Sequence, residues 1–316
     1  MKKIIILTIP IIFLNTTCTR EPKIVGSLPT VQREMTLEEQ AHQYSTLAYD
    51  RYKEANYVQA VQLLENALLF GGSLDYHHLS LLGQSLLKTG KYIEAQKIAD
   101  ELISLYPESS RGYEIRGFSH LARGDFEKAE NDYLSALDLN DHSPMSYFYI
   151  GTIYDAQDKA RERESYFKEA EDELLVILKN NPNDFSTRFE LIYLYVYWNK
   201  KLDQTAIHID FLKKWMANSD LPDEKQNWED FYLLGLEGMY LCLTQKFQEA
   251  ILKMSQALAS EPTGSQIDVA EVYYYIGKSF EGLHQNKKAQ EFYDKALQTD
   301  SLKLYSRHIA SLPKSE

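Results

Sequence analysis

The stretch Arg116–Ala129 reads RGFSHLARGDFEKA, and it holds Ser119, His120 and Asp125, the residue types of a hydrolytic triad, with Gly117 and Gly124 close by. A serine nucleophile of that kind sits between two glycines, in the pattern G-x-S-x-G, on a strained strand-to-helix turn. Here the second glycine is missing, because Leu121 follows His120. On a helix, adjacent side chains diverge by roughly 100° and do not face each other, so Ser119 cannot use His120 as its base. The other reactive residues are no better placed. The eight histidines, at 42, 77, 78, 120, 142, 208, 284 and 308, contain no H-E-x-x-H pair, and the neighbours His77 and His78 read as an exposed pair. Cys242, among Tyr240, Leu241 and Leu243, reads as a buried, inert thiol. No phosphate-binding glycine loop follows a predicted strand. The chain reads as a non-enzyme with no catalytic residue, no metal site and no cofactor.

The glycines themselves point to what must hold these residues. Gly83, Gly117 and Gly151 are 34 residues apart in succession, and so are Gly90 and Gly124. A constant period of that length marks a stacked architecture of helix-turn-helix units. Small residues recur in pairs 12 apart: Ala48 with Ala60, Gly83 with Ala95, Gly117 with Ala129, Gly238 with Ala250, Gly277 with Ala289. In the copy containing Gly151 the partner position is Arg163. A glycine inside a helix costs about 1 kcal/mol against alanine, so its recurrence implies a return, which is close approach of two antiparallel helices. Pro107 and Pro262 fall where a second helix should stop.

Written copy by copy, the pattern resembles the tetratricopeptide repeat. One copy carries Leu79, Leu82, Gly83, Leu86, Ala95 and Pro107, the next Tyr113, Gly117, His120, Ala129 and Tyr133, and the next Tyr147, Gly151, Tyr154 and Phe167. The resemblance runs from about Thr36 to Ser301. It implies an all-α solenoid of stacked helix-turn-helix repeats, wound as a right-handed superhelix whose first helices line a concave groove. Residues 36–182 are expected to hold four repeats, 183–227 a degenerate repeat and a polar loop, 228–300 two further repeats, and 301–316 a C-terminal capping helix and tail. Within the degenerate part, LIYLYVYW is apolar on all sides and could be a strand, but its place between helical repeats favours a buried helix.

The same face of successive first helices projects Tyr49, Tyr52, Gln84, Glu114, Phe118, Phe148, Tyr193, Tyr197, Tyr232, Met239 and Tyr274 into that groove, as candidate partner-binding residues rich in aromatics. Aromatics serve as rigid, amphipathic anchors at interfaces, though they equally serve to pack one repeat on the next. Family members that clamp acidic C-termini carry lysine and asparagine at set positions. Ser45, Tyr49, Ser80 and Gln84 stand there instead, which speaks against such a clamp.

The N-terminus begins MKKIIILTIPIIFLNTTC, with two lysines, an apolar run of 11 residues from Ile4 to Leu14, and a short polar stretch ending at Cys18. The run is shorter than the roughly 20 residues of a spanning helix and suits the apolar region of a secretory signal. Residues 1–17 read as a signal peptide. Its ending on cysteine resembles the lipobox of bacterial lipoproteins, which implies lipidation at Cys18; an ordinary cleaved leader and an uncleaved anchor are the alternatives. Residues 18–35, with two prolines and a glycine, read as a lipidated N-terminus and flexible tether. With 34 basic and 46 acidic residues the net charge is −12, which argues against nucleic acid as a partner. Together the sequence predicts a scaffold anchored in the bacterial cell envelope, periplasmic or surface-exposed, that binds a protein or peptide partner and resembles the repeat lipoproteins of envelope assembly. The alternative is an accessory subunit of a transport system that binds a small apolar ligand.

Overall fold

The computed structural model describes residues 35–70, 75–140, 142–219, 223–260, 269–299 and Ile309. The signal segment, Cys18 and the tether up to Glu34, Pro262 and the C-terminal segment apart from Ile309 lie outside the described residues. Among those described, there are fourteen α-helices and no strand. They fall into seven antiparallel pairs: α1 (Leu37–Lys53) with α2 (Tyr57–Leu69), α3 (Tyr76–Lys88) with α4 (Tyr92–Leu105), α5 (Ser110–Ala122) with α6 (Phe126–Leu139), α7 (Pro144–Ala156) with α8 (Ala160–Asn180), α9 (Phe185–Trp198) with α10 (Leu202–Ala217), α11 (Asp223–Leu243) with α12 (Phe247–Ala259), and α13 (Val269–Gly282) with α14 (Asn286–Thr299). Each pair packs on the next, which is how a solenoid buries apolar faces that no single unit could bury alone.

Local sequence explains where the helices begin. Thr36 and Glu39 form a capping box at α1, with the Glu39 N–H donating to Thr36 Oγ1 at 3.1 Å and the Thr36 N–H donating to Glu39 Oε2 at 2.8 Å. Asp75 and Asp184 cap α3 and α9 through the N–H groups of His78 (3.0 Å) and Thr187 (2.9 Å). Asp223 and Glu224 open α11, so this helix starts five residues before Trp228, where the sequence reading began it. The helix runs unbroken from Asp223 to Leu243.

The turn within every pair follows one rule. Seven residues after the small position of the first helix stands a residue with positive φ: Ala55 (60°), Gly90 (72°), Gly124 (76°), Asp158 (58°), Asn199 (55°), Gln245 (62°) and His284 (59°). In each, the N–H of the following residue reaches back to the carbonyl five positions earlier, as from Lys91 to Leu86, Asp125 to His120 and Lys246 to Leu241, at 2.8–3.1 Å across the seven turns. This is the left-handed cap that ends a helix and reverses the chain. Only Gly90 and Gly124 take this φ without strain. The turn also indexes the degenerate copy: Asn199 places Ile192 at the small position, and α10 begins one residue later relative to it than the other second helices. Side chains join this copy to the preceding one at two carboxylates: Tyr195 Oη donates to Glu171 Oε1 at 2.7 Å, where Lys201 also pairs, and Trp198 Nε1 to Glu164 Oε2 at 2.8 Å, where Lys200 also pairs.

The glycines sit where helices meet. A Cβ built on Gly117 would lie 3.3 Å from Asp132 Cβ and from the Tyr133 ring; on Gly277 it would lie 2.6 Å from the Tyr293 ring and 3.2 Å from the Ala289 carbonyl oxygen. At Gly151 and Gly238 it would overlap Phe167 and Met254. In all four the obstructing side chain stands sixteen residues on, and in the copies of Gly117, Gly238 and Gly277 an alanine stands twelve on. Ala48, Ala60, Ala95, Ala129, Ala250 and Ala289 are all buried in these contacts. Gly83 differs, because Ala99 stands sixteen on, and Ile115 of α5 moves into the space at 2.8 Å. Arg163, in place of the alanine, turns its guanidinium to Asp155 on α7 at 2.7 Å.

Candidate binding groove

The stretch that looked like a triad is part of this frame. Ser119 is fully buried and its hydroxyl donates to the Ile115 carbonyl of its own helix at 2.9 Å. His120 points away from it, with Nδ1 3.6 Å from Asp125 and Nε2 3.8 Å from Asp132. Asp132 is held by Arg116, whose Nε and Nη2 donate to it at 2.8–3.2 Å while Nη1 reaches Asp100 at 2.9 Å. Hydrogen bonding to Asp132 raises the Arg116 pKa further, so this is a permanently charged clamp. Cys242 is buried, and burial pushes its thiol up, away from the reactive thiolate. No group of three or more His, Cys, Asp or Glu side chains suited to a metal ion occurs among the described residues.

The feature that gathers side chains is a cavity of about 940 Å³. Its walls come mainly from the first helices α1, α3, α5, α7, α9 and α11 and the turns before α7 and α9, with Tyr57, Tyr133 and Ile177 added from second helices. Of the residues that the sequence projected into the groove, Tyr52, Gln84, Glu114, Phe118, Phe148, Tyr193, Tyr197 and Tyr232 line it. Three do not. Tyr49 points to solvent, 51% exposed, with Lys53 Nζ 4.2 Å from its ring centre. Met239 is 3% exposed, inside the core that α9 to α13 share. Tyr274 packs on Tyr293, ring centres 5.9 Å apart. One helical face does not map onto one wall when a solenoid winds, because the terminal repeats present it at the end of the groove or against a neighbour.

Sequence reasoning missed Arg111, Tyr133, Ser143, Tyr149, Phe185, Phe189, Lys88 and Glu190, all of which line the cavity. Phe189 was findable: indexed from Asn199, it stands three residues before the small position, at the level of Glu114 and Phe148 in their own copies. Tyr133 comes from a second helix and carries no groove signal in its spacing.

Aromatic rings run along the wall in contact. Phe118 meets Tyr149 (centroids 5.2 Å), Tyr149 meets Tyr133 and Phe148 (5.3 and 5.4 Å), and Phe148 meets Tyr193 and Tyr197 (5.2 and 5.6 Å). Edge-on and offset contacts of this kind stiffen a surface. Polar groups bridge successive repeats between the rings: Tyr52 Oη donates to Gln84 Oε1 at 3.0 Å, and Ser143 Oγ to Glu114 Oε1 at 3.0 Å, while Arg111 Nη1 donates to Glu114 Oε2 at 2.6 Å. Burial raises the pKa of Tyr52, Tyr133 and Tyr197, so their hydroxyls stay protonated. The Tyr133 hydroxyl has no hydrogen-bond partner among the described residues. Glu190 is half-buried, and burial, with Asp184 nearby, pushes its carboxyl up to about 7 against the pull of Lys88.

This arrangement offers contact area and hydrogen bonds. A profile of the tetratricopeptide repeat family matches residues 80–144 and 116–184. These are tetratricopeptide repeats. The pairs on either side repeat their turn and their helix order. Over 103 residues the chain is 27% identical to Heat shock protein STI1 of Saccharomyces cerevisiae, a match taking in 30% of this chain and 18% of that one. The chain thus spans a small part of that relative's length. Among solved structures, Rap Protein complexed with Competence and Sporulation Factor is 15% identical with a TM-score of 0.63, covering 89% of this chain and 78% of that one. A tetratricopeptide repeat protein from Parabacteroides merdae ATCC 43184 is 20% identical with a TM-score of 0.46, covering 84% and 99%. The matched repeats and the likeness to the Rap Protein structure give the fold as an all-α repeat solenoid of tetratricopeptide type, which suggests a scaffold for protein–protein interaction.

Proposed function

We propose that this tetratricopeptide protein is a membrane-tethered scaffold of the bacterial cell envelope that holds a segment of a partner protein in its groove. The observation that carries the reading is the cavity of about 940 Å³, whose walls hold aromatic rings from α1, α5, α7, α9 and α11. Rigid rings give contact area at small entropic cost, and the polar bridges between them can orient an extended backbone. The Rap Protein structure, of the same fold, holds a partner, Competence and Sporulation Factor. The tether rests on the lysine-led apolar segment ending at Cys18. Lipid at that cysteine would supply the attachment, as several acyl chains together hold a protein at a membrane. The tether of residues 18–35 reaches at most ~60 Å, enough for the repeats to meet partners beyond the headgroups.

Crosslinked capture from cells, with the wild-type chain beside Phe148→Ala and Tyr193→Ala variants, tests the groove. A protein recovered in stoichiometric amount with the wild type and lost with both variants is expected; capture that ignores both variants sinks the groove reading. For the tether, Cys18→Ala should move the chain from the membrane to the soluble fraction, and unchanged membrane association refutes it. A second reading, a small apolar ligand handled beside a transporter, is favoured by one observation: the cavity volume falls within the roughly 300–1,000 Å³ of small-molecule sites. Native mass spectrometry showing a bound small molecule in the absence of any captured protein selects it.

A further inference from the structure

The charged groups of the cavity are not equally engaged. Glu114 accepts from Arg111 and Ser143. Asp184 accepts the capping N–H of Thr187 and a bond from Asn181. Glu190, on the inward face of α9 three residues before Tyr193 and seven before Tyr197, accepts no hydrogen bond from any described residue. The cation felt there is Lys88 of α3, which comes from across the groove, forms no ion pair with Glu190, and lies 5.7 Å from the ring centre of Tyr232 on α11. Lys88 and Lys53 are exposed, and a solvated ammonium loses little by staying unpaired, whereas a half-buried carboxylate loses much. Beyond the groove, the net charge of −12 favours the approach of a basic partner over an acidic one.

Resting on the groove reading above, we propose that Glu190 seats a cationic side chain, lysine or arginine, of the bound segment, with Tyr193 and Tyr232 in the same cavity offering ring faces to it and Lys88 acting as a built-in competitor. A carboxylate beside aromatic walls suits such a cation twice over, by a charge-assisted hydrogen bond and by attraction to the ring quadrupoles. Because Lys88 comes from the second repeat and Glu190 from the fifth, an incoming cation also outcompetes an electrostatic attraction between parts of the solenoid that are not neighbours in the stack.

Panning a random nonapeptide phage library on the full-length chain at pH 8 tests this, followed by affinity measurements of the selected peptides on Glu190→Gln, Lys88→Met and Tyr193→Ala, each checked for wild-type helicity by circular dichroism. The expected result is enrichment of lysine or arginine at one peptide position, about tenfold or greater loss of affinity on Glu190→Gln, and tighter binding on Lys88→Met. Replacing the enriched basic residue of a peptide by glutamine should cost as much on the wild type and little on Glu190→Gln. Peptides that need Tyr193 but show no basic preference, or show an acidic preference abolished by Lys88→Met, overturn the role of Glu190 and leave the groove reading standing. A library yielding no peptide, or only peptides indifferent to Tyr193→Ala, overturns both.

Discussion

Gly117 and Gly277 occupy the same place in two repeats, and each faces a tyrosine sixteen residues on, yet they should respond differently to alanine. At Gly117 the added methyl would lie 3.3 Å from Tyr133, so the ring must yield by a few tenths of an ångström. That ring stacks on Tyr149 and its hydroxyl is not tied down by a hydrogen bond. At Gly277 the methyl would lie 2.6 Å from Tyr293, and the Ala289 carbonyl at 3.2 Å limits how far the helices can part. Tyr293 is 4% exposed and its hydroxyl donates to Glu281 at 2.8 Å, so the ring cannot shift without losing that bond. Overpacking costs about 1–3 kcal/mol, while alanine gains about 1 kcal/mol in helix propensity at either site. Gly117→Ala should therefore be close to neutral, and Gly277→Ala should be less stable than it by about 2 kcal/mol. Urea unfolding followed by circular dichroism measures the difference. In a stack stabilised by neighbours the loss should also be local, so hydrogen exchange should show α13 and α14 losing protection while α5 and α6 keep theirs. Equal stability of the two variants, or Gly117→Ala the weaker, would falsify the account of the helix contact.

The left-handed turn residues give a second test: Gln245→Gly should raise stability by about 1 kcal/mol by relieving a strained φ, and Gly124→Ala should lower it by a similar amount, both read from urea midpoints. A third concerns His208, 8% exposed, whose Nδ1 lies 3.0 Å from Arg188 Nη1; burial first, then that guanidinium, lowers its pKa from 6.5 to about 4. The folded state thus binds fewer protons than the unfolded one between these values, so stability should fall as pH drops from 6.5 to 4, by up to about 3 kcal/mol. Glu190 works the other way, holding a proton in the folded state up to about 7, so its contribution is lost as pH rises from 4.5; unfolding titrations on Glu190→Gln isolate the His208 slope, which His208→Gln should abolish. Finally, Ser119→Ala should change stability by no more than about 1 kcal/mol, since it removes a single hydroxyl bond within one helix, and a larger loss would give that serine a role the packing does not.

Much of the fold was legible because its cause is repeated. The spacing of Gly83, Gly117 and Gly151 is read directly from the chain, and each copy corroborates the others. The copy built on α9 was harder to read, since Ile192 replaces the glycine and the extra turn residue shifts its second helix; there the backbone kept the register and the side chains did not. The groove was legible in its middle and not at its ends. Phe118, Phe148 and Tyr193 follow from helical phase, whereas the burial of Met239 and the outward turn of Tyr49 depend on how the terminal copies pack. Glu190 was invisible to spacing for a different reason: what sets it apart is the lack of a partner, which only the packed structure reveals.

The backward bond at each turn, from the residue after the left-handed position to the carbonyl five before it, has a consequence for how such a chain can change over time. Because this bond belongs to the backbone, it holds the phase between the two helices whether alanine, glycine, aspartate, asparagine, glutamine or histidine stands there. A block copied from one such turn to the next, as from Gly90 to Gly124 or from Gly124 to Asp158, would arrive in phase with its neighbours, its inward residues already aimed at the cavity. New specificity could then be acquired one wall at a time, by recombination as readily as by point substitution.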